Sequence, residues 1–296
     1  MRRYVNDMPA SSPRNHLPIG VFDSGVGGLT VLSALRRALP GEDLLYLGDT
    51  ARVPYGTRSA ETVRAYSHRV AAHLWREGIK ALVIACNTAT TYALDDLQAV
   101  GARAGVPVIG VIQPGVRAAL SRTQRGDVAV LGTEGTIRGG RYQAALEGRV
   151  QRVRAVACPL FVPLAEEGWI DGEVVRLVAE RYLGGLAGDD GPDTVILGCT
   201  HYPVLKSVIA EALPGAALVD SAEATAAVTA EVLADAGLLH AGGGGRAGRE
   251  RFLVTDHVER FRATGRVFLE REPSRVELVD LVTPNLLQHG VFAEGA

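Results

Sequence analysis

Two cysteines in this sequence stand where a thiol can do chemistry. In ALVIACNTATTYALDDL an apolar run ends at Cys86-Asn87-Thr88 and a helix pattern follows. TVILGCTHYPVLKSVI repeats the arrangement: Gly198 allows close backbone approach, Cys199-Thr200-His201 ends the run, and Pro203 suits a first helical turn. Each thiol is therefore expected at the carboxyl end of a buried strand and beside a helix N-terminus. Backbone N–H groups and the helix dipole there favour a thiolate and lower a thiol pKa from its usual value of about 8.5. A single such cysteine is more often an inert small hydrophobe. Two at matching points make acid–base work the better reading. The third, Cys158, lies inside the apolar run Ala157-Cys158-Pro159-Leu160-Phe161 and is read as packing.

IGVFDSGVGGLTVLSAL puts Asp23-Ser24 at another strand end, followed by Gly25, Gly27 and Gly28. Such a turn can cradle an anion. The spacing is not the dinucleotide G-x-G-x-x-G, and no P-loop lysine follows. Asp23 is read as an acid/base helper facing a cleft, with a plain helix cap as the alternative. Cys199 and His201 suggest a metal, but no second Cys-x-x-Cys or His pair stands at ligand spacing, so zinc is a minor reading. His201 is assigned to proton transfer or to a structural hydrogen bond.

Two opposed thiols suit one reaction in particular. One thiolate takes a proton from a carbon, the thiol opposite returns one to the other face, and the carbon inverts. The carbanion must be stabilised by desolvation and by hydrogen bonds to the adjacent carboxylate. Ser24, Asn87, Thr88, Thr133, Thr136 and Thr200 supply short polar donors. Pyridoxal phosphate is the usual electron sink for this chemistry and needs a lysine. Only Lys80 and Lys206 are present, against 29 arginines. Lys80 falls at the start of a strand and Lys206 inside a helix, so the mechanism is expected to need no cofactor.

The elements that must carry these groups alternate. Strands are expected at Ile19–Phe22, Leu44–Leu47, Ala81–Ala85, Val106–Ile112, Val128–Leu131, Arg154–Ala157, Thr194–Leu197 and Ala217–Val219. Amphipathic stretches at Leu29–Leu39, Glu61–Glu77, Gly139–Leu146 and Glu173–Leu183 lie between them. That order predicts α/β architecture with parallel sheets. Landmarks repeat at nearly one offset: Gly25 with Gly135, Val53-Pro54 with Val162-Pro163, Cys86 with Cys199, and Val111-Ile112 with Leu218-Val219. Two similar open α/β domains related by duplication are expected, with ligand bound outside the carboxyl ends of their strands. Pro54-Tyr55-Gly56 and Pro163 to Glu167 would join the cleft. Residues 1–18 read as a disordered or loosely attached extension, Gly242 to Gly245 as a flexible loop, Phe252–Val254 as a short strand or extended piece, and His257–Leu269 and Ser274–Asp280 as helical or mixed.

Composition narrows the partners. The 296 residues carry 31 basic and 33 acidic side chains, a net charge of −2. This balance argues against nucleic acid or a membrane surface as main partner. No apolar run approaches the roughly 18 residues of a membrane span, and Asn6 to Asn15 lacks a signal-peptide core, so a cytoplasmic location is expected. Three cysteines make no disulfide framework.

DSGVGGLTVL, YLGDTARVPYG, ACNTAT, LGTEGTI, CPLFVPLAEEG and LGCTHYPVL together resemble the glutamate racemases of the aspartate/glutamate racemase superfamily. The match runs from about Ile19 to Ser221, and RFLVTDHVERF resembles the family's tail. The resemblance implies interconversion of L- and D-glutamate, feeding peptidoglycan synthesis. It implies Cys86 as the base toward D-glutamate and Cys199 as the base toward L-glutamate. Asp23 and His201 match the residues that assist them, and Glu166 a further acidic residue near the second. Substrate contacts map onto Asp23-Ser24, Pro54-Tyr55-Gly56, Asn87-Thr88 and Thr200-His201, and more loosely onto Thr133 and Thr136. The resemblance also implies a first domain of residues 19–110 plus 221–288, a second of 111–220, a tail at 289–296, and a homodimer. Gly139 departs from the family's frequent Ser. Two other readings remain open: a sister racemase acting on aspartate or another amino acid, and a non-catalytic amino-acid-binding protein.

Overall fold

The structure, a computed structural model, describes residues 14–241 and 247–281. Its strands are β1 (Ile19–Asp23), β2 (Leu44–Gly48), β3 (Ala81–Ile84), β4 (Val108–Gly110), β5 (Asp127–Gly132), β6 (Arg152–Ala157), β7 (Thr194–Gly198), β8 (Ala217–Asp220), β9 (Glu250–Val254) and β10 (Val276–Leu278). The helices used below are α1 (Leu29–Ala38), α2 (Ala60–Glu77), α3 (Asn87–Ala104), α4 (Ile112–Arg122), α5 (Glu134–Arg138), α6 (Arg141–Leu146), α7 (Phe161–Glu166), α8 (Glu173–Leu183), α9 (Lys206–Ala212), α10 (Ser221–Asp235) and α11 (Val258–Leu269). Among the described residues the strands form two all-parallel sheets, ordered β10-β9-β2-β1-β3-β4 and β6-β5-β7-β8. The order β2-β1-β3-β4 in the first is the order β6-β5-β7-β8 in the second, the pattern expected of a duplication.

Sequence explains why the strands sit centrally. IGVFD, LLYLG and ALVI are buried at every position, as strands covered by helices on both faces must be. One core lies on each face of each sheet. Cys86 packs at the rim of one core of the first sheet, and Cys199 and Cys158 belong to one core of the second. Helix ends follow capping chemistry. The Ser59 hydroxyl accepts from the Thr62 N–H to open α2, and Gly78 ends it at φ +80°.

The chain enters the second sheet through α4 and returns through α10, whose Ala222, Ala226 and Leu233 pack into a core of the first sheet. β9 then pairs with β2, and β10 with β9.

Several local expectations are corrected. Val111 and Ile112 open α4 instead of extending a strand, so they do not correspond to Leu218-Val219, which lie in β8. Gly139–Leu146 is not one helix: Gly139 and Gly140 separate α5 from α6, and Gly140 turns at φ +69°. Val276–Leu278, in the stretch read as helical or mixed, is a strand. Its alternation is too short to signal itself and is fixed by pairing with β9. Of the expected loose extension, residues 14–18 are tied down. Arg14 Nη1 donates to the Ala104 carbonyl at 2.9 Å, the Lys80 N–H to the Pro18 carbonyl, and Lys80 Nζ to the Asn15 carbonyl. Residues 1–13, Gly242 to Gly245 and 289–296 lie outside the described residues.

Candidate active site

The carboxyl ends of β1, β3, β5 and β7 converge between the sheets. β3 runs into Cys86, which caps α3: its Sγ accepts from the Ala89 N–H at 3.4 Å. β7 runs into Cys199, followed by a 3-10 turn at Tyr202–Leu205 before α9. The expected helix N-terminus is thus present at Cys86, whereas Cys199 precedes a tighter turn. Both thiols line one cavity of about 30 Å³. Ser24, the Pro54-Tyr55-Gly56 loop, Asn87, Thr88, Thr133, Thr200 and His201 share its walls.

Three expected residues stand behind those walls. Asp23 is buried and accepts from the Gly25 N–H at 2.9 Å, with the Thr200 hydroxyl 3.5 Å from its other oxygen. Thr136 is fully buried, its hydroxyl 3.0 Å from those of Thr88 and Thr133. Glu166 lies at the end of α7 and lines a neighbouring cavity of about 260 Å³ with Arg260 and His257. It reaches the site through His201, whose Nε2 is 3.0 Å from Glu166 Oε1 and whose Nδ1 is 3.8 Å from Cys199 Sγ. Cys158 is fully buried with its Sγ against the Val156 carbonyl, away from this cavity.

The two thiols sit in different fields. Burial, reinforced by the Asp23 charge, pushes the Cys86 thiol up to about 12, against the smaller opposing help of Ser24 and the Ala89 N–H. This corrects the expectation of a lowered pKa: the helix terminus is present, but desolvation and a neighbouring carboxylate outweigh it. Burial also raises Asp23, opposed by His201. Burial opposes charge on His201, yet its bonds to Cys199 and Glu166 carry it up to about 10. Burial likewise opposes ionisation of Glu166, and the bond from His201 prevails and lowers it.

Glycines let the walls approach. A Cβ at Gly27 would lie 2.4 Å from His201 Nδ1 and 2.6 Å from Thr200 Oγ1, and one at Gly56 would lie 2.6 Å from Thr133 Cβ. At Gly139 it would lie 2.2 Å from Thr91 Cγ2, so a larger residue there would have to displace Thr91.

Some of the site's supports carry no local sequence signal. The Asp49 carboxylate accepts from Tyr55 at 2.6 Å, Arg52 at 2.7 Å and Thr255 at 2.9 Å, tying the Pro54-Tyr55-Gly56 loop to the end of β9. Phe268 stacks edge-on to His201 at 5.3 Å. Lys80 is fully buried at the amino end of the first sheet, paired with Glu42, and Lys206, at the start of α9, pairs with Asp220 of β8. Neither lines the cavity. Among the described residues no three His, Cys, Asp or Glu side chains gather as a metal-ligand group.

The Asp/Glu/hydantoin racemase family model matches residues 19–229, which contain both thiols and the cavity. The chain belongs to that racemase family. It is an amino-acid racemase, an isomerase. It is 52% identical over 254 residues to glutamate racemase of Geobacter metallireducens, covering 85% of this chain and 92% of the relative. The solved glutamate racemase isoform RacE1 of Bacillus anthracis superposes with a TM-score of 0.83 at 39% identity, covering 90% of this chain and 98% of that one. Glutamate racemase of Francisella tularensis, solved in complex with D-glutamate, does so with a TM-score of 0.82 at 37% identity, covering 90% and 99%. Among the described residues no helix of this racemase is long and apolar enough to cross a membrane.

Proposed function

We propose that this racemase interconverts L- and D-glutamate by two-base proton transfer between Cys86 and Cys199. The observation that carries the reading is that both sulfurs line one cavity and each has its own acid–base partner. From L-glutamate, the Cys199 thiolate takes the Cα proton and the Cys86 thiol delivers its own to the opposite face. D-glutamate leaves, the two sulfurs having exchanged protonation states, and the reverse reaction starts from Cys86. A protonated His201, held by Glu166, sets a positive charge beside the Cys199 sulfur. Asp23, beneath Ser24, assists Cys86. The hydroxyl and amide groups of Ser24, Asn87, Thr88, Thr133 and Thr200 hold the carboxylates, backed by Thr136 and by the Pro54-Tyr55-Gly56 loop.

A cavity of about 30 Å³ holds about one water. Glutamate therefore enters when the two sheets part and the Thr88–Thr133 contact, 2.9 Å in the closed form, opens. We assign residues 19–110 with 221–288 to one moving body and 111–220 to the other. The reaction is written without pyridoxal phosphate or metal: one thiolate takes a proton, the other thiol gives one, and desolvation with hydrogen bonds to the carboxylate stabilises the carbanion between them. The cellular role is supply of D-glutamate for peptidoglycan in the cytoplasm, by a homodimer.

Comparing turnover of glutamate and aspartate tests the substrate: faster turnover of aspartate would overturn the choice. Full activity is expected without added pyridoxal phosphate and after exhaustive chelation. A protein that binds glutamate without exchanging its Cα proton would be a binding protein instead.

A further inference from the structure

Asn87 lies at the first turn of α3, next to Cys86, and is almost wholly buried. Its side-chain oxygen accepts from the Tyr142 hydroxyl at 2.8 Å. Its amide nitrogen is buried without any hydrogen-bond partner, although Asn87 walls the cavity. A buried donor left unpaired is costly, so this one needs a partner from outside the protein.

Tyr142 comes from α6, on the second sheet, and is fully buried. Glycines admit it: a Cβ at Gly198 would lie 3.2 Å from its ring, and one at Gly115 3.4 Å from its hydroxyl. Ser221 lies by the same phenol and favours its ionised form, which is the effect of a donor. A phenol has one proton to give. With Ser221 donating to its oxygen, that proton goes to Asn87 Oδ1. The amide is left with one orientation, its NH2 group turned away from Tyr142.

We propose that Tyr142 is a positioning residue that aims the Asn87 amide at the cavity, where it donates to a carboxylate of the amino-acid substrate. The inference rests on the racemase reading above. It also makes substrate binding depend on closure, since Tyr142 and Asn87 come from opposite halves of the site.

The test compares Tyr142→Phe, Asn87→Ala and the double variant, with Ser221→Ala as a second route to the same contact. Tyr142→Phe should raise KM for both enantiomers about tenfold, the size of one hydrogen bond, and keep kcat within about threefold. On top of Asn87→Ala it should add less than about twofold, because its target is gone. Ser221→Ala should raise KM in the same direction by about two- to threefold. A KM within about twofold of wild type for Tyr142→Phe, or the same tenfold loss in the Asn87→Ala background, would overturn the proposal. If Tyr142→Phe melts far below wild type, an unchanged KM in Ser221→Ala overturns it. Calorimetric affinities for glutamate, measured on the same set, separate this idea from the racemase reading. If wild type binds glutamate but exchanges no Cα proton, the racemase reading fails, and the affinities still decide the role of Tyr142.

Discussion

Cys86 and Cys199 end equivalent strands of two sheets with the same strand order, yet their surroundings have diverged. Beside Cys86 stand a carboxylate and a hydroxyl, and burial with the Asp23 charge keeps it a thiol. Beside Cys199 stands an imidazole that Glu166 holds toward its charged form. Duplication supplied matched geometry, and the neighbouring residues supplied opposite electrostatics. In the proposed two-base reaction, which needs one donor and one acceptor at each turnover, the positive partner stands beside Cys199 and the negative one beside Cys86.

The largest expected effect comes from removing either side. Cys86→Ala and Cys199→Ala should each lower kcat by about a thousandfold or more, as loss of a positioned acid or base does. Cys158→Ala, a fully buried packing residue, should retain near-normal turnover. Full activity in the Cys199→Ala protein, measured by circular dichroism of glutamate, would remove one half of the comparison.

Displacing a partner should cost less than deleting a thiol. An added methyl in Gly27→Ala would lie 2.4 Å from His201 Nδ1 and drive the imidazole from the sulfur. A loss of about a hundredfold in kcat is expected, the scale of a 1 Å misplacement. Gly25→Ala is the control: its nearest neighbour would be 3.7 Å away, and activity should barely change.

The imidazole–carboxylate pair also leaves a pH signature in stability. His201 is raised above its ordinary 6.5 to about 10. Its contribution is therefore complete below pH 6.5 and is lost as pH rises toward 10. Glu166 is lowered below its ordinary 4.5, so its contribution is present above that value and fades in acid. Melting temperatures of wild type and Glu166→Gln should differ most between these limits, near pH 5 to 6, and converge by pH 10. A constant gap from pH 6 to pH 10 would mean that His201 carries no charge in the folded protein.

The smallest effect concerns the seam between the halves. Gly139→Ser would press its Cβ on Thr91 across the closed site. A destabilisation of about 1–3 kcal/mol is expected in urea unfolding, the usual cost of overpacking. No loss would show that α5 and α3 separate freely in solution.

Much of this comparison was legible in the sequence where the signal is local. Apolar runs ending in Cys86 and Cys199 placed both thiols at strand ends, and the glycines after Asp23 marked a tight turn. Terms set by tertiary packing were not legible. The helix terminus at Cys86 was visible, but the burial and the Asp23 charge that raise its thiol arise only when β1 and β3 lie side by side. Val111-Ile112 continued an apolar run and read as strand, whereas the chain there bends into α4. Tyr142 in RYQAAL looks like any core aromatic of an amphipathic helix, and its hydrogen bond spans 55 residues.

The central claim is that the two thiols work on opposite faces of one carbon. It is tested most directly by running the reaction from L-glutamate in heavy water and stopping it early. Two bases predict D-glutamate carrying solvent deuterium at Cα while the unreacted L-glutamate keeps its protium. Deuterium appearing equally in the remaining L-glutamate, or D-glutamate formed with its protium retained, would mean that a single base serves both faces and would contradict the account.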